Sequence, residues 1–374
     1  MTEACILEEL KTDYSHTLPI YFPPPIVTYL SFPFQLSILL AYKKTEAWYY
    51  SNYIQLFSKL NSNPMLLLHF FPDEYLSSHT QYFIDIIKID ESIYRINKKN
   101  LVNNICKWID NKLYVKIILS ESELPGMALY GKELSPHPQF IFGYDKKKET
   151  FMITNFNYQH QYSIIDVNFS DLTAAFFSKA SAKAMVIYNS WGQELQAKHP
   201  VILYKFRGRD SFFYHLDIGI MIELFEDYIY SRNSSYHYKL ITPRITEYEG
   251  SQWGISVYKN LIEYLKNIDN GLIDFRAFHG IWEHKKIMIS RIKYLISNNY
   301  LEPGDKSLSD FIKIEKDANQ VRLLIFRYNS KKKSSIISTV SKILQNISDE
   351  EFQTLNNVCK ILKQNKAKME YISS

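Results

Sequence analysis

Near residue 210 the hydrophobic pattern changes period, and this limits the fold more than any other feature of the chain. Before that point apolar residues come in short runs, as in "LYVKIILS", "QYSIIDVNF" and "VILYKF". Runs of about four to eight residues between turn signals suit strands of a half-buried sheet. After that point they recur at three- and four-residue spacing. "FYHLDIGIMIELFEDYIYSR" carries Leu216, Ile220 and Leu224. "GISVYKNLIEYLKN" carries Ile255, Tyr258, Leu261, Ile262 and Leu265. "FHGIWEHKKIMISRIKYLI" carries Phe278, Ile281, Met288, Ile292 and Leu295. That spacing lays one apolar stripe along a helix. With 374 residues, two domains are expected: a mixed α/β domain over 1–205 and an all-helical domain over 206–374.

Within the first half, "FPFQLSILLAYKK" predicts a helix with Pro33 in its first turn and Leu36, Leu39 and Leu40 on one face. "WYYSNYIQLF", "MLLLHFF" and "QYFIDIIKI" predict strands. "KKNLVNNICKWIDNK" predicts a helix whose face is Leu101, Ile105, Trp108 and Ile109, with Cys106 in the core. Ser170 is expected to cap a helix over "SDLTAAFFSKA". Near the C-terminus, Ser348 and Glu351 form a capping-box pattern, followed by a face of Phe352, Leu355, Cys359 and Leu362.

Composition excludes several classes. Hydrophobic residues at 46% and charged residues at 22% suit a folded soluble chain, not a disordered one. The net charge of +5 is small for this length, and the two basic runs, Lys146–Lys148 and Lys331–Lys333, read as solvated turns. Nucleic acid is therefore not an expected partner. The three cysteines, Cys5, Cys106 and Cys359, lack zinc-ligand spacing, and a sparse, odd set fits a reducing cytoplasm. "MTEACILEELKTD" lacks the basic and apolar regions of a signal peptide. "MLLLHFF" is far shorter than the roughly 20 residues of a membrane span. The expectation is a soluble cytoplasmic protein with no membrane partner, no metal and no cofactor.

The stretch that points to chemistry is "SPHPQFIFGYDKKKETFMITNF", Ser135 to Phe156. It predicts a hairpin around "KKKE". A turn centred near Lys146 would set His137 opposite Asn155. Directly opposed side chains have Cβ atoms only about 4.5–5.5 Å apart. An amide oxygen there could hold one imidazole nitrogen and leave the other as a general base. Equally, His137 between Pro136 and Pro138 could end a loop, and Asn155 could belong to a turn.

His137, "FGYD" at Phe142–Asp145, Asn155 and "VNFSDL" at Val167–Leu172, followed by "GISVYKNLIEYL" and "IDFRAFHGIWEHKKIMISRIKYL", resemble one protein group in their order and spacing. That group is the bacterial papain-fold family of the butirosin biosynthesis protein H N-terminal type, related to C39-type cysteine peptidases. The resemblance spans about residues 25–300. It implies an α+β papain-like domain with an appended helical domain, and a Cys-His-Asp(Asn) site. That site takes an acyl group, often from a carrier-protein thioester, and passes it to an amine. In this sequence Leu36, Leu39 and Leu40 match the residues that follow the family's cysteine, which places Ser31 at the nucleophile position. None of the three cysteines fits there. Gln35, one turn into the helix, would line the site. Ser31 is read as a nucleophile, as a helix N-cap only, or as a displaced match, and the three readings stay open. A thiol at a helix N-terminus ionises far more readily than a hydroxyl. A Ser-His-Asn set therefore needs full general-base help. The expected function is acyl transfer or amide-bond formation in specialised-metabolite biosynthesis. Its partners would be an acyl or peptidyl carrier protein thioester and an amine acceptor. The alternatives are a family member without a nucleophile, acting as a binding or scaffold subunit, and a hydrolase. The oligomeric state, a homodimer included, is open.

His279 and Glu283, four apart in "HGIWEH", suit a salt bridge on a helix or two metal ligands. Arg207, Arg209 and Arg291 read as surface or ion-pair residues, or as a surface for a phosphopantetheine or a carrier protein.

Overall fold

The computed structural model describes residues 4–30, 32–60, 66–72, 82–89, 96–132, 134–183, 200–208, 214–238, 250–268 and 271–373, with side chains to 366. In chain order the strands are β1 (Cys5–Leu7), β2 (Leu10–Lys11), β3 (Ser15–Thr17), β4 (Ile20–Phe22), β5 (Gln55–Leu60), β6 (Leu66–Phe71), β7 (Ile84–Lys88), β8 (Tyr114–Ser120), β9 (Pro136–Asp145), β10 (Thr150–Phe156), β11 (Tyr162–Asn168), β12 (Val201–Phe206) and β13 (Gln252–Trp253). The helices are α1 (Pro33–Leu40), α2 (Glu46–Ser51), α3 (Leu101–Asp110), α4 (Phe169–Phe176), α5 (Ile218–Ile229), α6 (Val257–Lys266), α7 (Arg276–Ser297), α8 (Lys306–Lys331) and α9 (Ser334–Ser373). The chain is mixed α+β with a helical C-terminal region.

It divides into two compact units, one of Met1–Lys43 with Ser78–Phe212, the other of Lys44–Ser77 with Phe213–Ser374. The contiguous division at 205/206 expected from the sequence misses the excursion of residues 44–77. These carry α2, β5 and β6 into the second unit, which is therefore not all-helical. There β13, β5 and β6 form a three-stranded antiparallel sheet. "WYYSNYIQLF" is correspondingly half helix and half strand.

In the first unit an antiparallel sheet runs β11-β10-β9-β8-β12-β7, with β3 pairing the edge of β9 beyond β8. The short apolar run "LYVKIILS" forms β8 of this sheet. Every residue of β8 is buried. In α1 the residues Pro33 to Leu39 are all buried, so it is an interior helix and not an amphipathic one. Phe34 of α1 stacks on Phe140 of β9 at 5.0 Å and 10°, and Phe140 stacks in turn on Tyr114 of β8 at 5.6 Å. The "KKKE" turn forms as expected. Asp145 Oδ1 accepts from the amides of Lys147 and Lys148 at 2.8 and 3.1 Å.

In the second unit, the stripes expected for α6 and α7 are buried at Tyr258, Leu261, Leu265, Phe278, Ile281, Met288, Ile292 and Leu295. For α5 the face lies elsewhere. Asp217 caps the helix by accepting from the Ile220 amide at 3.1 Å. This start turns Met221, Ile222, Phe225 and Tyr228 inward and leaves Ile220 exposed. The capping box expected at Ser348 and Glu351 does not exist, because α9 runs unbroken through both. Glu351 is instead fully buried and Phe352 is exposed.

Glu351 is the centre of a closed polar network. Its Oε1 accepts from Lys285 Nζ at 2.5 Å, and its Oε2 accepts from the hydroxyls of Tyr228 at 3.0 Å and Tyr258 at 2.9 Å. Lys285 Nζ also donates to Tyr228 Oη at 3.2 Å and to His284 Nδ1 at 2.9 Å. His284 Nε2 meets the Ile54 carbonyl at 2.8 Å, so Nε2 carries the proton and the ring is neutral. Burial holds the His284 imidazole well below its ordinary value and raises both tyrosines well above theirs. Every donor of Lys285 is used, as a buried charge requires.

Candidate functional site

The hairpin expected from the sequence is β9 and β10, but its register differs. Thr150 pairs with Asp145 and Phe151 with Tyr144. A bulge between Met152 and Ile153 then shifts the ladder to Ile153 with Ile141 and Thr154 with Phe140. Because the turn lies between Asp145 and Thr150, later than one centred at Lys146, Asn155 falls level with Gln139 and not with His137. Its Nδ2 donates to Gln139 Oε1 at 2.6 Å, and its Oδ1 accepts from the Phe156 amide at 2.7 Å. Both side chains are fully buried. Asn155 therefore does not orient His137 as the sequence suggested. It braces Gln139, whose Nε2 donates to the His137 carbonyl at 3.3 Å.

The orienting partner of His137 is Glu121, which the sequence reading missed. Glu121 opens a 3-10 turn, Glu121–Glu123, directly after β8. Its amide donates to the Ser135 carbonyl at 2.9 Å, which fixes the turn against the start of β9. Across the β8–β9 ladder Leu119 pairs with His137, so Glu121 comes alongside the imidazole, and its Oε2 meets His137 Nδ1. The carboxylate is 3% exposed and the imidazole 34%. Glu121 Oε1 is buried with no hydrogen-bond partner. Ser135 Oγ lies 3.4 Å from the same nitrogen.

This geometry sets the proton. A carboxylate only accepts, so Nδ1 carries the hydrogen that Glu121 takes. Neutral His137 then keeps the Nε2 lone pair free on a partly exposed ring, the arrangement a general base needs. A signal in the sequence exists only in hindsight. "SESE" follows a strand adjacent to β9, and an acidic residue there falls beside a residue at the start of the neighbouring antiparallel strand.

Ser31 lies outside the described residues. The helix that it precedes is present, with Phe32 at the N-cap position and Pro33 in its first turn. Phe34, three residues after Ser31, stacks on Phe140, three residues after His137. The onset of α1 and the His137 strand thus belong to one packed layer. Gln35 is 8% exposed on α1.

The remaining candidates resolve as structure. His279 Nε2 and Glu283 Oε1 meet at 3.3 Å, the salt bridge expected from their spacing. No group of three metal-ligating side chains occurs among the described residues. Arg207 pairs with Asp85 at 2.6 Å. Arg291 is fully buried, donating to the carbonyls of Tyr50 at 2.8 Å and Asn52 at 2.6 Å, so it offers no binding surface. Burial brings its guanidinium down to about 10. Arg209 lies outside the described residues. A cavity of about 400 Å³ at the head of α8 is lined by Lys306, Asp310, Asn357 and Lys360, among others. It contains no residue singled out in the sequence. Among the described residues, no helix is long and apolar enough to cross a membrane.

No protein-family model matches the chain, and no curated protein matches its sequence.

Proposed function

We propose that the first unit is a papain-like acyl-transfer enzyme that forms amide bonds in specialised-metabolite biosynthesis in the cytoplasm. His137 is its general base and Glu121 the residue that positions it. Ser31 stands at the nucleophile position, and Gln35 lines the site. One observation carries this reading: a buried carboxylate holds Nδ1 of a partly exposed imidazole and leaves Nε2 free. In the reaction, Nε2 takes the Ser31 hydroxyl proton as Oγ attacks a thioester carbonyl. The tetrahedral intermediate expels the thiol, which leaves with that proton. An amine then attacks the acyl-serine ester, His137 accepts the amine proton and returns it to Ser31 Oγ, and the amide is released. The acyl donor would be a carrier-protein thioester.

The test is intact-mass spectrometry after incubation with acyl-pantetheine or carrier-protein thioesters. An adduct on Ser31 that Ser31→Ala and His137→Ala abolish supports the enzyme. Amide product formed equally well by Ser31→Ala would sink the nucleophile assignment.

A second reading has its own observation. Asn155, the residue expected to orient the base, is locked onto Gln139. A chain that has given up the Asn–His pair and the cysteine would serve as a binding or scaffold subunit. Under that reading no thioester is consumed, and the protein binds the carrier without acylation.

A further inference from the structure

The second unit carries a helix face that its own fold does not use. The inner seam of α8 is Phe311, Ile314, Ala318, Val321, Ile325 and Tyr328, all buried. A second seam sits one residue further round. Ile312, Lys316, Asn319, Leu323, Phe326 and Ser330 follow one another at alternating four- and three-residue steps, and all but Asn319 are exposed. Ile312, Leu323 and Phe326 are the apolar positions of this face, and Lys316, Asn319 and Ser330 the polar ones, at the spacing by which one helix packs along another. From Ile312 to Ser330 it extends about 27 Å at 1.5 Å per residue.

The apolar part of this face is widened by the segment before α7. Ile273 is tied to α8, its amide donating to Asn329 Oδ1 at 2.8 Å and its carbonyl accepting from Asn329 Nδ2 at 2.8 Å. Lys332 Nζ donates to the Gly271 carbonyl at 2.6 Å. These bonds hold Leu272 between its two anchored neighbours, and Phe275 lies beside Phe326 with the rings 5.0 Å apart. Leu272 is 75% exposed and Leu323 55%, and both phenylalanines are exposed. A contiguous apolar patch of this kind marks an interaction site.

One flank of this face is basic. Arg327 and Lys331 follow Leu323 at four-residue steps on one flank, and Lys333 ends the run. Among the described residues none of the three has an acidic partner. The acidic groups nearby are engaged: Asp274 with Arg276 at 2.5 Å, Glu283 with His279 at 3.3 Å, and Glu315 with Trp282 Nε1 at 2.5 Å.

We propose that this face of α8, with Leu272 and Phe275, docks an acidic amphipathic helix of a partner protein. The heptad-like step selects a helix, the exposed Leu and Phe side chains take its apolar stripe, and Arg327, Lys331 and Lys333 meet carboxylates on its flanks. The inference does not depend on any chemistry at His137.

The test uses the full chain and a fluorescein-labelled peptide of about three heptads with Leu at the a and d positions and Glu on the flanks. Anisotropy titration should show saturable binding that weakens with salt. A peptide of the same composition in scrambled order and one with Lys in place of Glu should bind at least about tenfold less. Leu323→Asp and Phe326→Asp should each weaken binding about tenfold or more. The double variant Arg327→Glu/Lys331→Glu changes only exposed side chains, so it keeps the fold. It should reverse the preference toward the Lys-flanked peptide. Far-UV circular dichroism and the melting temperature check each variant. Equal binding of the ordered and scrambled peptides would overturn the proposal. So would charge-reversal variants that bind as the parent does. A dimer in light scattering that Leu323→Asp dissolves would make the face a self-interface and overturn it. Tighter binding to phosphatidylserine vesicles or oligouridylate than to the peptide would also overturn it.

Discussion

Replacing Glu351 by Gln keeps the shape of the side chain and removes its charge. The Lys285 ammonium then stays in a fully buried site with only neutral partners, an amide oxygen, Tyr228 Oη at 3.2 Å and His284 Nδ1 at 2.9 Å, and no compensating charge. Breaking a buried pair by removing one partner costs about 3–5 kcal/mol, because the other charge is left uncompensated. For a unit of roughly 200 residues, each kcal/mol shifts the melting temperature by about 2–4 °C. The expected drop is therefore about 6–20 °C. Lys285→Met added to Glu351→Gln removes the stranded cation, so the double variant should be more stable than Glu351→Gln alone. The pH dependence has a defined sign. Burial already lowers Lys285 from its ordinary value of 10.5, and Glu351 pulls it back up. Without Glu351 the folded-state value falls further below the unfolded one. Folded Lys285 then sheds its proton where the unfolded chain keeps it, and stability rises with pH across that window. The deficit of Glu351→Gln should shrink as the pH is raised toward about 10. Urea titrations followed by tyrosine and tryptophan fluorescence at several pH values measure all three quantities. A loss below about 1 kcal/mol in Glu351→Gln, or a double variant less stable than the single, would refute the buried-pair argument.

Glu121→Gln should lower single-turnover acylation about 100-fold or more with little change in thioester binding, since it removes the acceptor that fixes the His137 tautomer. Asn155→Ala should instead act chiefly on stability. Burial pushes the Cys106 thiol up to about 11 and the Cys359 thiol up to about 12. Iodoacetamide at pH 8 should therefore alkylate only the exposed Cys5 in the native protein, and all three cysteines in denaturant, as counted by mass spectrometry. His16 is 1% exposed and bridges Glu9 at 2.9 Å and Asp110 at 3.1 Å. Its hydrogen bond is the main cause that holds the Glu9 carboxyl below the ordinary 4.5. A depressed carboxylate contributes stability above its unfolded value and loses it as the pH falls through the folded one. Amide exchange at Ser15–Thr17, corrected for intrinsic rate, should accelerate below about pH 4, and Glu9→Gln should remove that step.

By itself the sequence determined the element types and most of the buried faces. Strand runs before residue 210 and helical stripes after it are visible because burial on one side imposes a period of 2 or 3.6 on apolar residues. The hairpin at "KKKE", the interior places of Cys106 and Cys359, and the His279–Glu283 pair were legible for the same local reason. What depended on packing between distant segments was not. The turn formed between Asp145 and Thr150, later than one centred at Lys146, and this set Asn155 against Gln139 instead of His137; the bulge at Met152/Ile153 recovered only one residue of that offset. The packing beside the bulge admits no side chain at Gly143, where a Cβ would sit 2.8 Å from the Thr17 γ-methyl and 2.9 Å from the Met152 ε-methyl. Glu121 reached His137 only because β8 and β9 pair with Leu119 opposite His137. Glu351 carried a plausible local reading as a capping residue. A buried lysine on another helix, 66 residues away, took it instead. In an unbroken helix the backbone amides need no cap, whereas a buried ammonium must have a carboxylate, so the tertiary partner decided what the local pattern could not.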